Sequence, residues 1–234
     1  MKKRSFIALL ILVAFLCAGC GNTTLPKATE TPDSVISGEK DTTTEANADS
    51  VSPDKWSENI KCEIVPIENE DELCVFLCNE NAVTVDDLEF EIYFKNEAGE
   101  IIDKGWDGHD AILPGSTVVS TINTPTDYAS YETKVTTDEY ANPYTNHAKN
   151  VKLTSNQGDD CIILTIENMG DVLIEEIEYV VVFYKGDKIV KVTTEDIYDL
   201  EAHDTTVEKE DLYPLDGEED YDRWEVYINQ AHTF

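Results

Sequence analysis

Four cysteines in the body of the chain could form a disulfide, bind a metal or act as thiols: Cys62, Cys74, Cys78 and Cys161. Cys74 and Cys78 lie four residues apart on a predicted strand. Their Cα atoms are then separated by about 13 Å, whereas a disulfide spans roughly 4.4–6.8 Å. Cys62 lies on the preceding strand and is predicted to face the core, unlike the other two. The sequence therefore leaves three alternatives open: a disulfide of Cys62 with Cys74 or Cys78, free thiols that pack as small apolar side chains, or a metal-binding or reactive thiol.

The histidines give no pattern typical of catalysis or of zinc binding. His109, His147, His203 and His232 are isolated, and the sequence has no His-Glu-x-x-His, Gly-x-Ser-x-Gly or phosphate-binding glycine motif. A nucleophile and its base also need a third group that orients them, and no local spacing supplies one. We therefore predict that the chain is not an enzyme and needs no cofactor. A hydrolase in which a cysteine and a histidine meet through folding remains an alternative.

The densest acidic run, residues 216–222, reads DGEEDYD and could offer several oxygen ligands to Ca²⁺. It lacks the alternating aspartates of a helical Ca²⁺-binding loop. We interpret the run as a solvated loop. A metal-responsive accessory module of an envelope complex is the alternative function that such a run allows.

Trp106 lies in a polar, glycine-rich stretch, residues 104–110, where core packing does not require a large aromatic side chain. An exposed tryptophan can anchor a partner, and a tryptophan can also cover one end of its own domain. We predict Trp106 and the nearby His109 as candidate contacts to a partner. The partner would be an envelope protein or a glycan that the sequence does not identify.

Alternating apolar residues predict the strands that must position these side chains. Leu88, Phe90, Ile92 and Phe94 alternate with polar residues, which is typical of a strand with one face in a core. Hairpin turns are predicted at residues 96–99 and 185–187. In the second half, strands are predicted near residues 150–154, 161–167, 176–184, 188–194, 204–209 and 223–229.

The second half of the chain repeats the first. Leu73 and Ile162 are 89 residues apart and each begins an apolar alternation that ends in an asparagine, and Tyr131 matches Trp224 near the end of each copy. A repeat of this length is a duplicated small domain, because solenoid units run roughly 20 to 50 residues. Six or seven short strands per copy are typical of an immunoglobulin-like sandwich.

We therefore predict an all-β fold with two tandem immunoglobulin-like antiparallel β-sandwiches after a disordered N-terminal tether. The first repeat is placed at residues 56–141, a linker at 142–149 and the second repeat at 150–234.

Each copy runs from a strand through an asparagine-containing turn to an Ile/Leu-x-aromatic-x-Ile/Val-x-Phe strand, a hairpin and a closing Tyr-x-x-aromatic strand. This order resembles the FxLYD-type immunoglobulin-like domains of bacterial envelope proteins. The first copy has a Leu-Pro-Gly turn at residues 113–115, for which the second has LEAH at 200–203, and no aspartate follows Phe94. The resemblance implies an extracytoplasmic β-sandwich module with no catalytic residues.

The N-terminus has the features of an export signal. A basic start is followed by an apolar run from Phe6 to Cys17 and by Ala18-Gly19-Cys20. This ending resembles the lipobox of bacterial lipoproteins, although Cys17 stands where leucine is commonest. The resemblance implies a signal peptide at residues 1–19 and a lipid on Cys20 that anchors the chain to the membrane.

Composition bounds the partners. Residues 21–55 contain no aromatic residue. Such a segment buries too little apolar surface to fold, so we predict that residues 20–55 form a disordered acidic tether. The formal net charge of −32 argues against nucleic acid as a partner. The sequence therefore predicts a lipid-anchored lipoprotein on the extracytoplasmic face of the bacterial cell membrane, acting as a non-enzymatic interaction or spacer module.

Overall fold

The computed structural model describes residues 53–139, 145–158, 161–211 and 221–233. Within these ranges the chain forms β-strands, turns and two short 3-10 helices, at Pro53–Asn59 and Ala148–Asn150. The predicted all-β class is confirmed. The predicted signal peptide, nearly all of the tether and the first residues of the linker lie outside the described ranges.

Six antiparallel strands in the first half form two three-stranded sheets. The strands are β1 (Ile60–Pro66), β2 (Glu72–Asn79), β3 (Val85–Lys95), β4 (Ile101–Ile112), β5 (Thr117–Asn123) and β6 (Ser130–Asp138). One sheet has the order β1-β2-β5 and the other has the order β4-β3-β6. The predicted turn at residues 96–99 joins β3 to β4, with Gly99 at a φ of 80°.

The strands of the second half follow the same order. They are β7 (Thr145–Asn146), β8 (Val151–Gln157), β9 (Cys161–Asn168), β10 (Ile174–Lys185), β11 (Lys188–Leu200), β12 (Thr205–Asp211) and β13 (Arg223–Thr233). They form the sheets β8-β9-β12 and β11-β10-β13-β7. All six regions predicted as strands in this half are strands, and each extends beyond its predicted end, β11 and β13 the furthest.

Each half encloses an apolar core between its two sheets. In the first half, alternate residues of β2 such as Leu77 pack against alternate residues of β3 such as Phe90. In the second half, Ile166 of β9 and Tyr179 of β10 take the matching places. The apolar alternation read from the sequence therefore corresponds to the buried faces of these strands.

A buried asparagine fixes the same turn in both halves. Asn79 donates to the carbonyl oxygen of Ile112 at 2.8 Å, and Asn168 donates to that of Leu200 at 3.1 Å. Each side chain also donates to a carbonyl oxygen four residues further along the chain. The turn beside each asparagine contains a left-handed residue, Gly115 in one half and His203 in the other. The LEAH sequence at residues 200–203 therefore forms the same kind of turn as the Leu-Pro-Gly sequence at residues 113–115.

A tyrosine closes the core of each half in the same way. Tyr128 meets Phe94 edge to face, with ring centroids 5.2 Å apart, and Tyr221 meets Phe183 at 5.3 Å. The partners of Phe94 and Phe183 across the sheet are Tyr131 and Trp224. The correspondence of Tyr131 with Trp224 that the repeat predicts is therefore confirmed.

A third apolar cluster lies between the halves. The outer faces of β2 and β5 contribute Cys74 and Val119, and the outer face of β10 contributes Val180 and Val182. These side chains are at most 2 % exposed, and residues 48–234 form one compact unit. The division at residues 142–149 into two domains stays a prediction, since the halves share this third cluster.

Candidate functional site

A β-bulge on β13 helps to join the two halves. The register of β10 against β13 shifts between Glu178 and Tyr179, which leaves Asn229 as the extra residue. Bulges commonly redirect a side chain. Here the Asn229 side chain accepts from the backbone N–H of Val119 at 2.8 Å and donates to its carbonyl oxygen at 2.8 Å. The asparagine thus pairs with β5 as a neighbouring strand would.

Contacts at the β10–β11 turn add to this connection. Ile67 forms a parallel bridge with Ile189, and the N–H of Glu68 donates to the carbonyl oxygen of Ile189 at 2.8 Å. Lys188 forms an ion pair with Glu68. The two facing sheets are therefore held together at two separate places, by Asn229 and by this turn.

A cleft of about 410 Å³ lies between the two facing sheets. Its lining includes aromatic, charged and thiol side chains from both halves: Phe76, Cys78, Lys61, Glu63, Glu80, Tyr184, Asp187, Arg223, Glu225 and Tyr227. Register places Phe76 beside Glu63 on one wall, and Tyr184 beside Arg223 on the other. The strand alternation that fills the two cores therefore aims these other side chains into the cleft.

Aromatic rings form the inner part of the cleft. Phe76 of one half and Tyr227 of the other meet edge to face, with centroids 5.6 Å apart. Tyr184 is only 8 % exposed. The guanidinium carbon of Arg223 lies 3.5 Å from the centroid of the Tyr184 ring, a cation–π stack.

Glu225 organises the polar groups of the second wall. One carboxylate oxygen accepts from the Tyr227 hydroxyl at 2.6 Å and from the Tyr184 hydroxyl at 3.1 Å. The other accepts from Arg223 at 2.7 Å. Burial, with the nearby Glu225 carboxylate, raises the pKa of Tyr184 to about 12, and burial and Glu225 also raise the pKa of Tyr227. Both phenols therefore stay protonated and act as donors at neutral pH.

The rim of the cleft is acidic. Glu63, Glu80 and Asp187 are exposed, and none of them forms an ion pair with any of the residues that the structure describes. Lys61, which is also exposed, is the opposing charge on the rim. Since Arg223 already pairs with Glu225, the rim offers more carboxylates than cations to a ligand.

Of the alternatives left open for these cysteines, the structure has free thiols and no disulfide of Cys62 with Cys74 or Cys78, because Cys62 lies on the opposite face of the sheet from the other two. Cys62 packs against the core of the first half, whereas Cys74 lies in the cluster between the halves and Cys78 lines the cleft. These three and Cys161 are free thiols. Burial, and secondarily Glu63, raises the pKa of Cys62 to about 11, and burial raises that of Cys74 to about 12.

Trp106 and His109, the two predicted partner contacts, have different environments. Trp106 is 68 % exposed on the outer face of β4, directly across from Glu91. The His109 side chain is 8 % exposed, and its Nε2 lies 2.8 Å from the Ser120 hydroxyl. Trp106 is therefore accessible to a partner, whereas His109 is not.

His109 and Ser120 do not form a catalytic triad with Asp107. The Asp107 carboxylate lies 3.7 Å from Nε2 of His109, the same nitrogen that meets Ser120. In a triad the serine and the carboxylate bond to different ring nitrogens. Burial also lowers the pKa of His109, against the opposing effect of Asp107 and Asp110. The group is best described as a buried polar contact.

The other histidines also contact hydroxyl or carboxylate groups. His147 meets the Thr233 hydroxyl at 2.7 Å, and His203 lies 3.1 Å from the carboxylate of Asp171. Within the described ranges, no group of three or more His, Cys, Asp or Glu residues could hold a metal ion. Most of the acidic run at 216–222 lies outside those ranges.

Comparisons with known proteins assign no family. No protein-family model matches the sequence, and no curated protein gives a significant match. In the part of the chain that the structure describes, none of the helices has the length and apolar character needed to cross a membrane.

The sequence predictions missed the cleft. The sequence feature that could have indicated the cleft is the segment 180–184, in which every residue is apolar or aromatic. Such a run indicates a strand buried on both faces, and thus a second packing partner for β10. The charged and aromatic alternation of Arg223, Glu225 and Tyr227 becomes informative only when that partner is known.

Proposed function

We propose that this chain is a lipid-anchored lipoprotein of the bacterial cell envelope that acts as a non-enzymatic interaction or spacer module on the extracytoplasmic face. This location is supported by the lipobox-like ending at Cys20 and by the resemblance to FxLYD-type domains. The chain then holds a folded body away from the membrane by its predicted tether.

The observation that carries the interaction role is the cleft between the two halves. Its walls come from different halves, and the contacts of Asn229 and the Ile67–Ile189 bridge fix their separation. Ligand sites are commonly concave, with an apolar interior and a few placed polar groups. The cleft has an aromatic interior and a charged rim, which suits recognition rather than bond cleavage.

The same connection suits a spacer. Two halves joined through a buried cluster transmit a fixed separation, because repacking Val180 and Val182 would expose apolar surface to water. A lipoprotein of this kind would present the cleft and the exposed Trp106 at fixed positions relative to each other.

Anchoring is tested by expressing the full chain in a bacterium and partitioning membranes into Triton X-114. The native chain is expected in the detergent phase, with the mass of a diacylated N-terminal Cys20. The Cys20→Ala variant is expected without the lipid mass. Cys17→Ala is the matched control, since it removes a neighbouring cysteine and is expected to remain lipidated. An unmodified native chain, or a lipid on Cys20→Ala, would contradict the proposed anchoring.

A further inference from the structure

We propose that the cleft between the halves binds a basic segment of a partner protein, with an arginine or lysine side chain entering between the aromatic residues and the acidic rim. This inference rests on the proposed interaction role and adds the class of ligand. Its volume of about 410 Å³ lies within the range of roughly 300–1,000 Å³ that is typical of ligand pockets.

The cleft already holds one guanidinium group in the arrangement that such a ligand would use. Arg223 stacks on Tyr184 at 3.5 Å and pairs with Glu225 at 2.7 Å. An aromatic face and a carboxylate together satisfy both the planar surface and the charge of a guanidinium. Tyr227 and Phe76 extend the aromatic surface towards the other wall.

The acidic rim favours a positively charged ligand. Glu63 and Glu80 of the first half and Asp187 of the second half are exposed around the cleft, and Lys61 is the single cation there without an ion pair among the described residues. A cationic side chain entering the cleft would pass a rim that carries these three carboxylates. It would also be attracted over a longer range by the formal charge of −32.

Charge disfavours the two occupants that the chain itself could provide. Residues 21–52 contain six acidic and two basic residues, so the tether would be repelled by the rim. A second copy carries the same net charge of −32. A basic partner is the occupant that the charges favour.

Cys78 provides a local probe of occupancy. It lines the cleft, while Cys161 begins β9 in the other half and lies outside it. Burial raises the pKa of Cys62 and Cys74, which slows their reaction with alkylating reagents because the thiolate is the nucleophile. A ligand in the cleft should therefore slow alkylation of Cys78 and leave Cys161 unchanged.

The test measures binding of a fluorescein-labelled Gly-Arg-Gly-Arg-Gly peptide to the full chain by fluorescence anisotropy, with iodoacetamide labelling of Cys78 followed by peptide mass mapping. The peptide is expected to bind and to protect Cys78. The same peptide with citrulline in place of arginine keeps the shape without the charge and is expected to do neither.

Matched variants then locate the binding. Glu63→Gln and Asp187→Asn are each expected to weaken binding about threefold, the size of an exposed ion pair. Glu97→Gln, an equal charge change on a distant hairpin, should leave binding unchanged. Arg223→Gln frees the Tyr184 face and Glu225 and is expected to tighten binding at least threefold, whereas Lys152→Gln, the distant equivalent, should not.

Three results would overturn the proposal: no peptide binding, binding without protection of Cys78, or equal effects of the cleft variants and their distant controls. Protection of Cys78 by a neutral oligosaccharide of N-acetylglucosamine, with none by the arginine peptide, would also reject a basic ligand while leaving the interaction role in place. The lipid-anchoring experiment has a separate readout, so its outcome is independent of these results.

Discussion

The two halves use the same sheet in opposite ways. On the outer face of β3, Glu91 accepts from Lys104 and Lys134, and these bonds, with one from Tyr93, lower its pKa to about 2. At the place on β10 that matches Glu91 lies Val180, which is 1 % exposed. One face is a charged surface that includes the exposed Trp106, and the other is buried against the first half. The difference lies in the outward residues, since both inner faces fill a core.

The comparison explains how two halves of matching topology form one body. Matching inner faces give each half its core, whereas the outward positions determine which faces meet. Charged outward residues keep the β4-β3-β6 sheet in water, because burying unpaired charge is costly. Apolar outward residues on β10 require a partner surface, which β2 and β5 provide.

Exchanging the outward residues should have the largest effect. Val180→Glu places a carboxylate in the cluster between the halves and is expected to lower the free energy of unfolding by about 3 kcal/mol or more. Glu91→Val, the reverse exchange, removes the bonds from Lys104 and Lys134 and is expected to cost clearly less, because ion pairs at the protein surface contribute little. Urea denaturation measures both.

Alkylation of Cys74 gives a second measure of the same exchange. Cys74 is fully buried between the halves, so Val180→Glu should increase its reaction with iodoacetamide and Glu91→Val should not. Equal losses of stability in the two variants would contradict the assigned difference between the faces.

The buried asparagines should reveal what the halves share. Asn79→Ala and Asn168→Ala each leave carbonyl oxygens without their donor, and each is expected to cost about 2 kcal/mol. Thermal melting measures both, with the exposed Asn156→Ala as a control expected to change little. A large loss of stability in only one of the two variants would show that the matching hydrogen bonds contribute unequally in the two halves.

Asn229→Ala should weaken the contact between the two facing sheets without disturbing the cores of the two halves. It removes the bonds to Val119, with an expected loss of about 1–2 kcal/mol, and hydrogen exchange at the Val119 amide should accelerate. Exchange at Leu77, inside the first sheet, serves as the control. Unchanged protection at Val119 would mean that the bulge does not hold the two sheets together.

The same variant should change the titration of Glu178. Burial raises the pKa of Glu178, and the hydrogen bond from Asn229 at 2.6 Å partly opposes that rise. The folded chain therefore holds this proton more tightly than the unfolded chain, and the contribution of Glu178 to stability falls as pH rises above its ordinary pKa. Carbon-13 NMR of the carboxyl group should show a further rise in Asn229→Ala. A fall would contradict the role of the hydrogen bond.

The smallest effect is expected on the exposed face. Trp106→Phe should change the free energy of unfolding by less than about 0.5 kcal/mol. It should remove most of the iodide-quenchable tryptophan fluorescence, because Trp56 is 8 % exposed and Trp224 is partly buried. Quenching that persists in the variant would place the accessible tryptophan elsewhere.

Much of the fold was readable because strand alternation is a local property. Leu73 and Leu88 each begin a run whose period of two matches the pleat, and every strand predicted in the second half is present. The turn at residues 200–203 was harder to interpret, since His203 takes the left-handed conformation that Gly115 takes in the first half.

The candidate site was much less predictable. The exposure of Trp106 was one of two alternatives, and His109 was expected at the surface although it is buried against Ser120. Arg223 and Glu225 are close in sequence, but Phe76 is far from both along the chain. Nothing local indicates that these three line one cleft.

The sequence by itself determined the strands, the two matching cores and the apolar outer face of β10, because each depends on the alternation of neighbouring residues. Only the tertiary structure decided what covers that face, that the four cysteines stay unpaired and where the cleft opens. Those features depend on contacts between residues about 110 positions apart, such as Val119 and Asn229. The hydrophobic effect is not directional, so an apolar face can be buried by any apolar surface. Which surface buries it depends on how the whole chain packs.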